Sequence, residues 1–268
     1  MTTRLSWACA GSGEPLLLLH GIGTTRDDFS ALRPALEAEY DVLAVDLPGH
    51  GESPALSKRP SIHAVTDAIE ADLDILGIGR VHVLGNSLGA RIALELAGRD
   101  WALSVVAIAP SGLNTLPERI YQGAAMSTFR LLMYVLHPAI GPLACFTAGR
   151  VALLTGLRSQ PWLVSEVEAL ALREDLGECE DFWRLLFWEI LTDVPTGLGN
   201  VRCPVILAQG TADVIGSCQT PPLSAGRAGR DLSASARCGP RAPVRRPRQH
   251  PAVSAPGNPA HTDALRTG

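Results

Sequence analysis

Neither a C-x-x-C pair nor a dense cysteine cluster occurs in this chain; its six cysteines stand apart at 9, 145, 179, 203, 218 and 238. That argues against a disulfide framework or a thiolate zinc site and points to reduced thiols in a cytoplasmic protein. No metal cluster, phosphate loop or dinucleotide fingerprint is legible, so no cofactor and no metal are expected. Gly11-Ser12-Gly13 precedes a strand where a nucleotide loop would follow one, and it reads as a hairpin turn. Internal repeats are missing as well. Ala8-Cys9-Ala10 mimics a cleavage site, but the apolar stretch of a signal peptide is lacking, so secretion is not expected. The segment Leu131 to Ala148 has the length of a membrane span. His137-Pro138 and Gly141-Pro142 interrupt it, which predicts two shorter helices and no crossing. What remains, at 268 residues, 46% hydrophobic and 19% charged, suits one globular α/β domain carrying an insertion.

Gly85-Asn86-Ser87-Leu88-Gly89 is the most informative stretch present. Val81, Val83 and Leu84 end a buried strand, while Ile92, Ala93, Leu94, Leu96 and Ala97 recur at helical spacing. Ser87 falls at the corner between them, where the backbone is expected to be strained toward positive φ. The flanking glycines let strand and helix approach without clashing Cβ atoms. A serine there projects its hydroxyl above the sheet. The amide of Leu88 opens a helix, whose unpaired N–H groups and dipole favour a developing oxyanion.

Two further segments carry weight. Leu16 to Leu19 form a short buried strand running into His20-Gly21-Ile22-Gly23, and Val42 to Val45 form another, followed by Asp46-Leu47-Pro48-Gly49-His50-Gly51-Glu52-Ser53. In their order and in the residues within them, these motifs resemble the α/β-hydrolase superfamily over residues 1 to about 215. The resemblance implies a mostly parallel sheet with helices on both faces and a helical lid. It places the oxyanion hole on the amides of Ile22 and Leu88, with Gly23 the weaker choice. Asp46, His50 and Ser53 fall in what is a structural loop in that family and read as scaffold.

The expected core spans 1–112 and 200–215, and the lid 113–199. Large apolar side chains concentrate in that insertion, among them Met126, Phe129, Leu132, Met133, Phe146, Trp162, Phe182, Trp183 and Phe187. Most are expected in its own core and a minority over Ser87, favouring an uncharged acyl or aryl substrate. Cys203 to Ala208 read as a buried strand delivering Asp213, the triad acid that the resemblance implies. The alternative for Asp213 is a helix-capping or turn aspartate.

The family pattern then stops. Residues 216–268 contain no Ile, Phe, Tyr, Trp, Met, Lys or Glu, but eight prolines and eight arginines. Such a stretch cannot supply the final strand and helix, which are expected to be missing or disordered. A genuine basic tail and a slipped reading frame both account for it. The slip is favoured, because the change falls inside an unfinished domain. Alternative frames encoding no apolar strand ending in Gly-His would refute it. Only His250 and His261 follow Asp213, neither in a Gly-His setting, so His250 is a weak candidate for the general base. The expected activity is hydrolysis of a small ester or acyl substrate through Ser87, impaired if the base is absent. Cleavage of a carbon-carbon bond and non-catalytic ligand binding stand as alternatives. Nucleic acid is not an expected partner, and oligomeric state is left open.

Overall fold

The computed structural model describes residues 4–57, 59–155, 160–191 and 195–210, so Asp213, His250 and the segment 216–268 lie outside the described residues. The first half of the chain runs β1 (Trp7–Gly11), β2 (Glu14–Leu19), α1 (Arg33–Glu37), β3 (Tyr40–Val45), α2 (Ile62–Ile75), β4 (Val81–Asn86), α3 (Leu88–Gly98) and β5 (Ala102–Ile108). Helices α4 (Leu116–Val135), α5 (His137–Ala144), α6 (Thr147–Leu154), α7 (Glu166–Glu178) and α8 (Phe182–Leu191) follow, and then β6 (Val205–Ala208).

The strands form one sheet in the order β1-β3-β2-β4-β5-β6, with β1 antiparallel to β3 and every other pairing parallel. Strands covered on both faces read as continuous apolar runs, as Leu16 to Leu19 do. Alternation then sorts their side chains. Leu17, Leu19, Leu43 and Val45 join Ile69 and Leu73 of α2 and Ile92 and Leu96 of α3. Leu16, Leu18, Val42 and Ala44 pack on the opposite face against Phe29, with Leu36 of α1 alongside. Each fully buried leucine contributes roughly 2 kcal/mol, so the centre of the sheet is its most strongly held part.

Gly11-Ser12-Gly13 is not a hairpin turn. β1 and β2 lie on opposite sides of β3, so the tripeptide crosses over a strand position instead of folding back on its neighbour. It lies against the end of α1 and the start of β3: a Cβ on Gly11, at φ +96°, would sit 2.2 Å from the Tyr40 carbonyl oxygen.

Strands β5 and β6 are sheet neighbours, so α4 to α8 form a helical insertion between them. Local chemistry fixes the helix starts. At α7, the Ser165 N–H donates to the Glu168 carboxylate at 2.7 Å while the Glu168 N–H donates back to the Ser165 hydroxyl at 3.2 Å. The break expected at His137-Pro138 is present between α4 and α5. Gly141-Pro142 makes no break, because Pro142 lies inside α5, and the next interruption falls at Cys145-Phe146. No helix among the described residues is long and apolar enough to cross a membrane.

Large apolar side chains of the insertion divide three ways, where core and pocket alone were expected. Met133 and Phe182 are buried, Met126 and Phe129 line a cavity, and Leu132, Phe146, Trp162, Trp183 and Phe187 face solvent. Among the described residues β6 pairs only with β5, and its Ile206 stays 46% exposed. An apolar edge of this kind invites association.

Candidate active site

Strands β2, β4, β5 and β6 run parallel, and their registers bring their C-terminal ends to one rim: Leu19 opposite Gly85, Asn86 opposite Ile108, and Ile108 opposite Ala208. The chain builds outward from β2 to β3 on one side and to β4 on the other. In open α/β sheets such a reversal leaves a crevice beyond the strand ends. His20-Gly21-Ile22-Gly23 leaves β2 there and Ser87 leaves β4.

Ser87 adopts φ 53° and ψ −113°, a conformation that non-glycine residues rarely occupy. Holding it costs about 1–3 kcal/mol, and three backbone hydrogen bonds oppose that strain. The Ser87 N–H donates to the Ile108 carbonyl at 2.8 Å, and the Ser87 carbonyl accepts from the N–H groups of Arg91 at 3.0 Å and Ser111 at 3.3 Å. The glycines on either side are sterically obligatory. A Cβ on Gly85 would lie 2.4 Å from the Gly89 carbonyl oxygen, and one on Gly89 would lie 2.1 Å from the Leu19 carbonyl oxygen.

The loop after β2 abuts this corner, since a Cβ on Gly21 would contact the Ser87 Cβ at 3.5 Å. Ile22 lines the same cavity as Ser87. Gly23 faces elsewhere: a Cβ there, at φ +72°, would lie 2.6 Å from a Leu176 methyl and 3.2 Å from the Phe182 ring of the insertion. Of the two, Ile22 is the one that lines the cavity. Leu88 is the first residue of α3, where an N–H has no acceptor within the helix.

The cavity holds about 220 Å³ and is roofed by the insertion. Met126 and Phe129 of α4, Leu172 and Leu176 of α7 and Leu186 of α8 give it a largely apolar wall. Polar groups also line it, and the sequence reading passed over them. They include Asp28, Ser111, Arg119, Gln122 and Glu189. Arg119 and Gln122 sit one turn apart on α4, but the others come from distant parts of the chain and no spacing rule links them. Ala109, at φ 46°, was also missed; it shapes the loop carrying Ser111. Among the described residues no group of His, Cys, Asp and Glu side chains could hold a metal ion.

His20 is fully buried, and its tautomer is set by its partners: Nδ1–H donates to the Gly21 carbonyl at 2.8 Å, and Nε2 accepts from the Leu47 N–H at 2.9 Å. With both nitrogens engaged it ties the β2 loop to the β3 loop and cannot serve as a base. Asp46 accepts from the backbone N–H groups of Arg26 at 2.8 Å and Glu52 at 3.2 Å, and Ser53 Oγ donates to the Asp46 carbonyl at 2.6 Å. His50 packs edge-on against His20, with ring centroids 5.2 Å apart. These contacts are those of a scaffold.

Burial holds His20 down from 6.5 to about 4, and burial with the neighbouring His20 holds His50 down to about 3. Both stay neutral in the fold, whereas the unfolded chain takes up protons below pH 6.5. Stability is therefore full above that pH and falls as the medium is acidified, by about 1.4 kcal/mol per pH unit for each histidine. Asp175 acts in the opposite sense, because burial raises its carboxyl to about 6. Its partial exposure makes that offset incomplete. Urea unfolding should show a lower midpoint at about pH 5 than at about pH 7; equal midpoints would contradict the neutral-histidine assignment.

Comparison with known proteins agrees with this architecture. A family model described as alpha/beta hydrolase fold matches residues 14–157, more than half of the chain. The dihydrolipoyllysine-residue acetyltransferase component of the acetoin cleaving system of Pseudomonas putida is 39% identical over 104 residues, 37% of this chain and 28% of that protein. A pimeloyl-[acyl-carrier protein] methyl ester esterase of Neisseria meningitidis is 44% identical over 86 residues, 32% of each chain. The matched stretch thus spans about a third or less of the length of these relatives. The solved structure of a thermophilic esterase from Thermogutta terrifontis superposes with a TM-score of 0.60 at 20% identity, covering 81% of this chain and 78% of that one. By its profile match and by its sheet, this chain belongs to the alpha/beta hydrolase fold family.

Proposed function

We propose that this chain is a serine hydrolase scaffold for an uncharged ester or related acyl substrate, with Ser87 as nucleophile. The observation that carries the reading is Ser87 itself, strained at the strand-to-helix corner and lining a cavity with a largely apolar wall. Its Oγ attacks the acyl carbonyl, and the N–H groups of Ile22 and Leu88 stabilise the oxyanion. The proton that the Ser87 hydroxyl gives up passes to the leaving alcohol, and water then hydrolyses the acyl-enzyme, releasing the acid and restoring the hydroxyl. No cofactor enters these steps. The relative named as a methyl ester esterase lends support to the acyl class. Scattered cysteines support a cytoplasmic location.

The remainder of the triad rests on residues beyond the described ones. Asp213 follows β6, whose end reaches the same rim, and is the proposed acid. His250 is the nominal base, but Arg248-Gln249-His250-Pro251 is not a Gly-His setting, and this chain is expected to run several orders of magnitude below a complete triad.

A non-catalytic ligand-binding protein is the second reading, favoured by the formed cavity together with the weak base. Cleavage of carbon-carbon bonds is kept open by Asn86, whose side chain lies beside the loop at Gly21 and lines the cavity. A panel of short aryl and alkyl esters tests the proposal, with Ser87→Ala as control. Turnover that depends on Ser87 supports it, and binding without turnover selects the second reading.

A further inference from the structure

Among the polar atoms on the walls of the Ser87 cavity, the Ser111 hydroxyl and Nε of Arg119 are buried without a hydrogen-bond partner. Ser111 is held next to the nucleophile, because its N–H donates to the Ser87 carbonyl at 3.3 Å. Arg119 projects from α4, and its Nη2 donates to the backbone carbonyl of Glu189 on α8, which fixes the guanidinium between the two helices. Gln122, one turn further along α4, lines the cavity too, and its Oε1 accepts from the Asn114 side chain at 2.9 Å. That bond occupies its acceptor and leaves the amide N–H groups as what Gln122 can offer a ligand. Unsatisfied buried donors are costly, so the Ser111 hydroxyl and Arg119 Nε on one cavity wall mark a place where a ligand acceptor belongs.

We propose that Ser111, Arg119 and Gln122 form an acceptor-binding subsite that selects acyl substrates carrying a second, uncharged oxygen beyond the scissile carbonyl, such as a ketone or an amide. This deepens the ester-hydrolase reading and rests on it. The choice of an uncharged oxygen over a carboxylate follows from the rest of the lining. Asp28 and Glu189 face the same cavity, so among the described residues that line it one guanidinium stands against two acidic side chains. A further carboxylate would meet repulsion there, whereas a carbonyl oxygen accepts the donors without adding charge.

Binding to the full chain carrying Ser87→Ala tests the subsite without turnover. Isothermal titration with methyl valerate, methyl levulinate and monomethyl glutarate compares chains of matched length bearing a methyl, a ketone or a carboxylate. The levulinate ester is expected to bind about tenfold more tightly than the valerate ester, the increment of one or two net hydrogen bonds. The glutarate ester is expected to bind more weakly than the levulinate ester. Adding Arg119→Met should erase the levulinate preference and leave valerate binding in place. Ser111→Ala, which leaves the α4–α8 contact intact, should reduce the same preference by about threefold. Equal affinities for levulinate and valerate, an undiminished preference in both variants, or tightest binding of the glutarate ester would each overturn the proposal. Reaction of Ser87 with a fluorophosphonate in the unsubstituted chain reports separately on the hydrolase reading.

Discussion

Gly89→Ala is expected to destabilise the protein by at least about 3 kcal/mol, although propensity alone points the other way. Gly89 lies in the first turn of α3, where alanine is the better helix former by about 1 kcal/mol. Sterics outweigh that gain. The added methyl would be 2.1 Å from the Leu19 carbonyl oxygen, 2.4 Å from the Leu19 carbonyl carbon and 2.6 Å from the His20 carbonyl oxygen. All three are backbone atoms of the central strand and its exit, so no side chain can swing away to relieve the overlap. Either α3 lifts off the sheet or β2 is displaced, and both movements break the seating of Ser87. A matched control is available in Gly177, inside α7, where an added Cβ meets nothing within 4 Å. Gly177→Ala should be neutral or stabilising by up to about 1 kcal/mol. Urea unfolding followed by tryptophan fluorescence distinguishes the two. Similar midpoints for both variants would show that the strand-helix approach is looser than described.

Ser87→Ala is expected to lower kcat/KM for ester hydrolysis by at least about a hundredfold, even from a low starting rate. A strained serine corner has no structural advantage over alanine, so this substitution should leave the unfolding midpoint unchanged or raise it. His250→Ala, in contrast, should change the rate by less than about twofold, because Arg248-Gln249-His250-Pro251 lacks the Gly-His setting expected of the base. A large loss in His250→Ala would instead identify the tail as part of the site. The pairing matters because members of a catalytic triad act as a unit and their losses do not add.

Much of this was legible in the residues, for reasons that differ from element to element. Buried parallel strands leave continuous apolar runs, so Leu16 to Leu19 and Val42 to Val45 could be placed within a residue or two of β2 and β3. The corner at Ser87 was legible because only glycine tolerates the neighbouring approach, and composition records that need directly. Strand order was not. Gly11-Ser12-Gly13 encodes a tight change of direction, but nothing in a turn says whether the next strand pairs with its predecessor or is separated from it by a third. Pro142 misled for a related reason. A proline removes one backbone donor, and in an eight-residue helix such as α5 that loss does not terminate it. Arg119 and Ser111 were invisible because a cavity wall assembled from α4 and the loop after β5 leaves no periodic trace.

The most direct test is to incubate the folded, unsubstituted chain with a fluorophosphonate and locate the adduct by mass spectrometry. The account predicts a slow, stoichiometric adduct on Ser87, with no labelling of the other serines and none in Ser87→Ala. A folded protein in which Ser87 stays unmodified after prolonged exposure, or reacts no faster than surface serines, would contradict it.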